Sequence, residues 1–234
     1  MHACGREPVR RGIPRYTTFV DPLSLLEQTG RRFRRQRMRR LLSLFPIEPH
    51  WRVLDVGGTP SIWELCPVRP QLVILNTPRA LEPGAAGVHF VQGDGCALPF
   101  ATQSFDLVFS NSVIEHVGSA DAMRRFAAEV RRVGRRYFVQ TPDAAFPVEP
   151  HLYTPFLHQL PRAWQRRLAP RFPLWSLLSR ATPDQREFYV RHFLDDIRLL
   201  HASEMQALFP DARIVRERVL GLGKSLIAAG GPAR

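Results

Sequence analysis

Short apolar runs alternate with segments of helical composition through the middle of the chain. The runs lie at 53–56, 72–75, 89–92, 105–110 and 137–140, and polar or glycine residues follow each of them. Apolar runs of this length predict buried strands. The segments 62–65 and 120–133 between them have helical composition. The alternation predicts βαβ units, and therefore a parallel sheet that is covered by helices on both faces.

The flanking segments follow other patterns. Residues 1–30 are predicted to form an irregular N-terminal extension, because prolines interrupt any periodicity. In 31–45 an amphipathic helix is predicted, since one face carries Phe33, Arg37, Leu41 and Phe45 at four-residue intervals. A second helix is predicted at 192–209. The segments 212–219 and 225–229 are predicted to pair as closing antiparallel strands, which makes 31–234 a single domain.

The segment 143–191 interrupts the alternation. It contains seven of the 21 prolines and several aromatic residues. A long insertion after a central strand is more often a binding element than a linker, so this segment is predicted to cover a substrate.

Length and cysteine spacing limit the class of protein. A chain of 234 residues suits one large domain. No stretch approaches the roughly 18 apolar residues of a membrane span, and no apolar segment follows the basic N-terminus, so no secretory signal is predicted. Cys4, Cys66 and Cys96 have no CxxC or Cys/His spacing, which argues against a zinc site and a disulfide framework. A cytoplasmic protein without a metal is expected.

The formal net charge of +12 raises the question of an anionic partner. Lys224 is the only lysine, and every other basic residue of the Lys/Arg type is arginine. Because this bias extends over the whole chain, the net charge is weak evidence for an anionic partner. Seven arginines crowd the predicted helix at 31–45. They form either the solvated rim of an amphipathic helix, which we favour, or a face for phosphate or an anionic substrate.

Short polar residues lie at the ends of the predicted strands. They are Asp55 with Gly57 and Gly58, then Asn76, then Asp94, then Ser110 with Asn111. In an open α/β sheet, ligands bind outside the carboxyl ends of the strands. The turn at 57–61 lacks the later glycines of a dinucleotide fingerprint, and no Gly-Lys-Ser/Thr follows it. The pattern therefore favours a nucleoside ligand without a pyrophosphate.

Four segments carry a family resemblance. They are VLDVGGTPS, VILN, GDGCALPFATQSFDLVFSNSVIEHV and RYFVQTPD, which lie within 51–140. In this order and spacing they resemble the class I S-adenosylmethionine-dependent methyltransferases of the type 11 group. The resemblance implies a Rossmann-like, doubly wound α/β fold with a mostly parallel seven-stranded sheet. The insertion after the fifth strand would be a helical lid.

The resemblance also implies a cofactor site for S-adenosylmethionine. The turn at Asp55, Gly57 and Gly58 would hold the methionine moiety, and Asn76 the ribose hydroxyls. The adenine would contact Asp94, Gly95 and Cys96, and Asn111 would border the sulfonium. Two departures from the family pattern stand out: Thr59 and Ser61 replace glycines of the turn, and Asn76 replaces an acidic residue, so it offers hydrogen bonds without charge.

Methyl transfer to a hydroxyl needs an oriented acceptor and a base that removes its proton. His151 lies just after the fifth strand, where the insertion would meet the cofactor, and imidazole suits proton transfer near neutral pH. Glu149, two residues earlier, could orient it. His116 is the rival candidate, although a structural role under the cofactor is the interpretation we favour for it.

Three functions remain open from the sequence. The first is methyl transfer to a small molecule or glycan, with O-methylation in secondary-metabolite or saccharide biosynthesis as the specific prediction. The second is an RNA methyltransferase, motivated by the arginine-rich helix but lacking the motif of base-amine methyltransferases. The third is a non-catalytic binding protein with a methyltransferase fold, which is suggested by the replacement of two glycines of the turn by Thr59 and Ser61. The sequence does not specify the acceptor or the oligomeric state.

Overall fold

The computed structural model describes residues 22–77, 87–148, 151, 153–171 and 182–231; the side chains of 22–29 and of residue 189 are not included. The strands are β1 (Arg52–Val56), β2 (Gln71–Asn76), β3 (Val88–Gln92), β4 (Leu107–Asn111), β5 (Tyr137–Pro142), β6 (Arg213–Val219) and β7 (Leu222–Gly230). The helices are α1 (Pro22–Leu44), α2 (Pro60–Trp63), α3 (Ala120–Val133), α4 (Arg162–Leu168), α5 (Pro183–Asp196) and α6 (Ala202–Leu208). Short 3-10 helices lie at Ile114–His116 and Leu157–Gln159.

The seven strands form one sheet in the order β3-β2-β1-β4-β5-β7-β6. The pairings among β1 to β5 are parallel, and β7 runs antiparallel to both β5 and β6. The sheet is therefore mixed, which corrects the expectation of a mostly parallel one, while the closing antiparallel pair is confirmed. The strand order reverses between β1 and β4, which is where an open α/β sheet forms a ligand crevice.

Helices cover both faces of the sheet. On one face, α1 buries Met38, Leu41 and Phe45 in a core that also contains Trp63 from α2. On the other face, α3 buries an apolar stripe that includes Phe126. This arrangement is the Rossmann-like α/β architecture expected from the alternation of strands and helices.

Two helix boundaries differ from the sequence prediction. Helix α1 begins at Pro22, inside the segment predicted to be irregular; residues 1–21 lie outside the described part. The single helix predicted at 192–209 is two helices, because the chain between α5 and α6 bonds back to the sheet. There the amide of Arg198 donates to the carbonyl of Glu115 (2.9 Å), and the amide of Ala144 donates to the carbonyl of Leu200 (3.0 Å).

The segment after β5 has a small apolar core of its own. Leu157, Ala169, Val190, Phe193 and Ile197 pack together from the second 3-10 helix, from α4 and α5, and from residues just beyond these helices. Among the described residues, no helix combines the length and the apolar character that crossing a bilayer requires. Cys66 and Cys96 are unbridged thiols.

Candidate cofactor and acceptor site

A cavity of about 740 Å³ opens at the carboxyl ends of β1 to β3. Of the sequence-predicted cofactor residues, Gly57, Asn76, Asp94, Gly95 and Cys96 line it. The other three, Asp55, Gly58 and Asn111, are not among its lining residues. The strand ends therefore bring together five of the eight predicted residues around one space.

The glycine turn after β1 is closely packed from both sides. Gly57 has a φ of +76°, and its amide donates to the carbonyl of Leu75 (2.7 Å). A β-carbon at Gly57 would lie 2.6 Å from Val113, and one at Gly58 would lie 1.9 Å from the carboxylate of Asp55. Both positions therefore require glycine, and the bare backbone of Gly57 forms a cradle at the cavity wall.

Asp55 supports this turn from within the core. Its side chain is completely buried, Oδ2 accepts a hydrogen bond from the Trp63 indole (2.8 Å), and Oδ1 has no hydrogen-bond partner among the described residues. Burial raises the pKa of Asp55 to about 7, although the Trp63 bond opposes the shift. Among the described residues, the indole of α2 is therefore the hydrogen-bond donor that reaches this carboxylate.

Asn76 closes the cavity beside the turn. Its amide nitrogen donates to the carbonyl of Gly58 (3.0 Å), and its Oδ1 accepts from the amide of Thr77 (2.8 Å). The side chain thus ties the end of β2 to the glycine turn while it also lines the cavity.

The loop after β3 forms the opposite wall. The carboxylate of Asp94 accepts from the amide of Cys96 (2.8 Å), which fixes a tight turn. A β-carbon at Gly95 would lie 2.9 Å from the ring of Phe126, which also lines the cavity. The result is a narrow slot with an aromatic ring on one side and an exposed carboxylate at its edge.

Asn111 faces a second cavity of about 330 Å³. Its side-chain oxygen accepts a hydrogen bond from Arg37, which is itself buried and bonded to both carboxylate oxygens of Glu217 (3.2 and 2.7 Å). Ser112, the next residue, lines both cavities and donates to the side-chain oxygen of Gln140 (3.0 Å). Sequence reasoning missed the Arg37–Glu217 pair, although Arg37 lies within the apolar stripe of its helix.

Lys224 also lines the second cavity. Its ammonium lies 3.2 Å from the centre of the Phe33 ring, which is a cation–π contact. Burial lowers the pKa of Lys224 to about 8; the nearby Arg37 adds to this shift and Glu217 opposes it. Arg34 is a second cation in the wall, and the Asp143 carboxylate there is 3.4 Å from Arg216.

Two of the three sequence-predicted catalytic residues lie in contact with each other beside the larger cavity. The Nε2 atoms of His116 and His151 lie 3.3 Å apart, and His116 lines the larger cavity. His192 stacks on the His116 ring with centroids 5.4 Å apart. Glu149 lies outside the described residues.

Glu115, which the sequence analysis did not select, belongs to this cluster. Its carboxylate is completely buried; Oε2 accepts a hydrogen bond from the Thr141 hydroxyl (2.9 Å), whereas Oε1 has no hydrogen-bond partner among the described residues. Burial raises the pKa of Glu115 to about 7. Its position beside His116 in the sequence was the available signal.

Comparisons with known proteins were made at the level of domain families, curated sequences and solved structures. Residues 68–137 match the family model described as a methyltransferase domain. A search of curated protein sequences gives no match.

Among solved structures, three similar proteins share the fold over most of their length. One is the protein bound to the Trm112 methyltransferase activator in a Haloferax volcanii complex, with a TM-score of 0.54, 14% identity, and coverage of 91% of this chain and 95% of that one. The EvdMO1 N-terminal domain, crystallised with SAH and D-fucose, has a TM-score of 0.51 and 16% identity over 93% and 85%. A Pyrococcus horikoshii OT3 protein has a TM-score of 0.50 and 18% identity over 92% of each chain.

At these identities the structural likeness shows the fold alone. Together with the domain match, it supports a class I S-adenosylmethionine-dependent methyltransferase, and S-adenosylmethionine is the cofactor that this class indicates. The residues present are compatible with that cofactor, because Gly57, Asn76, Asp94, Gly95 and Cys96 line one cavity at the strand ends.

Proposed function

We propose that this class I methyltransferase fold transfers the methyl group of S-adenosylmethionine to a hydroxyl of a small molecule or glycan. The observation that carries the proposal is that the two cavities share Ser112, with His116, which is in contact with His151, in the wall of the larger one. Methyl transfer requires the donor and the acceptor to approach in line, and neighbouring cavities supply that arrangement.

In this proposal the cofactor occupies the larger cavity. The turn at Gly57 holds the methionine moiety, and Asn76 faces the ribose. The adenine lies in the slot formed by Asp94, Gly95 and Cys96. Asp55 and Gly58 act indirectly by fixing the turn, because neither lines the cavity. Asn111, held by Arg37, borders the sulfonium end from the acceptor side.

The acceptor occupies the second cavity, whose volume suits a small molecule or one sugar unit. Phe33, Phe146 and Tyr153 supply aromatic walls that can pack on a planar ring or a sugar face. The positive charges of Arg34 and Lys224 favour the binding of an acidic acceptor. Phe146 and Tyr153 belong to 143–191, which supports the role of this segment as a substrate cover within a single domain.

The acceptor loses its proton at the cluster of His116 and His151, with Glu149, two residues before His151 in the sequence, as a further candidate. The C–S bond then breaks with its electron pair kept by sulfur, and the acceptor oxygen forms the new C–O bond. His151→Ala is expected to lower turnover by about 100-fold or more, while the affinity for S-adenosylhomocysteine stays unchanged. Preserved turnover would remove His151 from the reaction.

Calorimetric titration with S-adenosylhomocysteine tests the proposal first. Binding by the wild type, followed by methylation in a screen of hydroxylated acids and glycosides, would support it. Phe33→Ala should then weaken the binding of the acceptor and leave the binding of the cofactor unchanged. Asp94→Ala should weaken the binding of the cofactor and leave that of the acceptor unchanged. A folded protein that does not bind S-adenosylhomocysteine would refute the enzyme function and favour the non-catalytic alternative.

An RNA acceptor is the second candidate, because Arg31, Arg32, Arg35 and Arg39 are exposed on α1. Binding to RNA through these residues would weaken steeply with salt, with a slope that falls as they are replaced. Salt-independent methylation of a small acceptor would exclude this role for α1.

A further inference from the structure

Three potential metal ligands converge beside the larger cavity. Glu115 and His116 lie in the 3-10 helix after β4, and His151 lies in the segment after β5. One ligand atom from each residue lies within 4.8 Å of the other two. The cysteine spacing predicted no zinc site, but this cluster contains no cysteine and is assembled from two distant parts of the chain.

The buried carboxylate is the first argument for an ion. Glu115 is completely buried, and only Oε2 is satisfied, by Thr141. Oε1 has no hydrogen-bond partner among the described residues although it is inaccessible to solvent. Leaving a buried carboxylate oxygen unsatisfied is costly, and a cation held between Glu115 and the two imidazoles removes that cost.

The separation of the two imidazole nitrogens is the second argument. His116 Nε2 and His151 Nε2 are 3.3 Å apart. Two nitrogens bound at about 2.0–2.1 Å to one tetrahedral Zn²⁺ are roughly 3.3–3.4 Å apart. This distance is slightly longer than the range of about 2.7–3.2 Å that is usual for N–H···O hydrogen bonds. The stacked His192 holds the His116 ring in this orientation.

We propose that Glu115, His116 and His151 bind one divalent transition-metal ion. Zn²⁺ matches this donor set best, and two imidazoles with one carboxylate leave a coordination position open. Because His116 lines the larger cavity, an ion held by it would border the proposed cofactor site. This inference rests on the proposed function but changes the role of the two histidines, which would act as ligands and not as bases. The ion would bind the acceptor hydroxyl and lower its pKa, so that the proton passes to solvent water before the C–O bond forms.

Metal binding is measured without any activity assay. Protein freed of metal by a chelator is titrated with Zn²⁺ by calorimetry and with Co²⁺ by visible absorption, which reports a tetrahedral site. One ion per chain is expected. His151→Ala and Glu115→Gln should each weaken the affinity by at least about 100-fold, since even the loss of a residue that only orients a ligand costs about 10–100-fold.

The matched control is His50→Ala, because His50 and Glu48 form an exposed His/Glu pair 3.5 Å apart. This variant should bind the ion as the wild type does. Glu115→Gln keeps the size of the side chain, so circular dichroism can verify that it folds.

The outcomes separate this proposal from the proposed function. No bound ion in a folded wild type, or unchanged affinity in His151→Ala, would overturn the metal site. If methylation proceeds at full rate in chelator, the ion has no part in the reaction, while the methyltransferase function stands. If an ion binds and no acceptor is methylated, the metal site stands and the proposed function fails.

Discussion

The buried carboxylate of Asp55 makes the stability of the protein depend on pH. Because the native pKa is about 7 against an ordinary value of 3.8, the unfolded chain ionises this group first as the pH rises. Asp55 therefore costs little stability near pH 4, and the cost grows until the pH passes about 7. Replacement by Asn removes the charge and retains an oxygen that accepts from Trp63.

The size of the effect follows from the shift. A difference of about three pKa units corresponds to roughly 4 kcal/mol once both states are ionised, of which about 1.5 kcal/mol is already present at pH 5. The advantage of Asp55→Asn over the wild type should therefore grow by about 2.5 kcal/mol between pH 5 and pH 8.

Urea unfolding followed by tryptophan fluorescence, at one-unit steps from pH 5 to pH 8, measures this advantage. Other titrating groups cancel in the difference between the variant and the wild type. Trp63→Phe removes the hydrogen bond that opposes the shift, so its stability should still be falling above pH 7. A constant difference between Asp55→Asn and the wild type across the range would refute the argument.

Three further predictions concern the turn and the second cavity. Gly58→Ala should abolish detectable S-adenosylhomocysteine binding in calorimetry, because its β-carbon would lie 1.9 Å from the Asp55 carboxylate and displace the turn. Glu217→Gln should lower the free energy of unfolding by about 3–5 kcal/mol, since it leaves Arg37 buried without a counter-charge. Lys224 has a lowered pKa of about 8, so affinity for an acidic acceptor should fall as the pH rises through 8, and Lys224→Met should lose that pH dependence.

Each of these predictions has its own control. Gly30→Ala introduces a methyl group with no contact closer than 3.5 Å and should leave cofactor affinity unchanged. Replacing Arg37 and Glu217 together by apolar residues should restore much of the stability that Glu217→Gln loses; an equal loss in both variants would show that the pair is not the cause. Acceptor affinity that is constant from pH 7 to pH 9 would exclude the charge of Lys224 from binding.

The parts of the fold that were predictable are those set by local patterns. Helix α3 begins and ends at the predicted residues, because an amphipathic stripe follows a serine whose hydroxyl caps the helix at the amide of Ala122. The start of α1 was missed because Pro22 was interpreted as an interruption, although proline is well tolerated in the first turn of a helix. The break between α5 and α6 was missed because the apolar periodicity continues through Ile197 and Leu200.

The sequence predicted the site residues at the ends of the strands, but it did not predict the contacts between residues that are far apart in the chain. The polar residues after β1 to β4 were found, because parallel strands end at one edge of the sheet. The bond from Trp63 to Asp55 depends on the angle at which α2 leaves the turn, which no sequence pattern specifies. Arg37 and Glu217 are separated by 180 positions, so only the tertiary fold brings them together.

The reversed direction of β7 has a consequence for the order in which the chain becomes functional during synthesis. Its first residues lie at the edge where β1 to β5 end, since Ser225 pairs with Pro142 at the end of β5. The acceptor pocket therefore combines Phe33 near the beginning of the chain with Lys224 near its end. A nascent chain that has emerged past β5 already contains every strand around the cofactor cavity, whereas the acceptor pocket is complete only after β7 has emerged. The residues of the cofactor cavity are thus all synthesised before those of the acceptor pocket are complete.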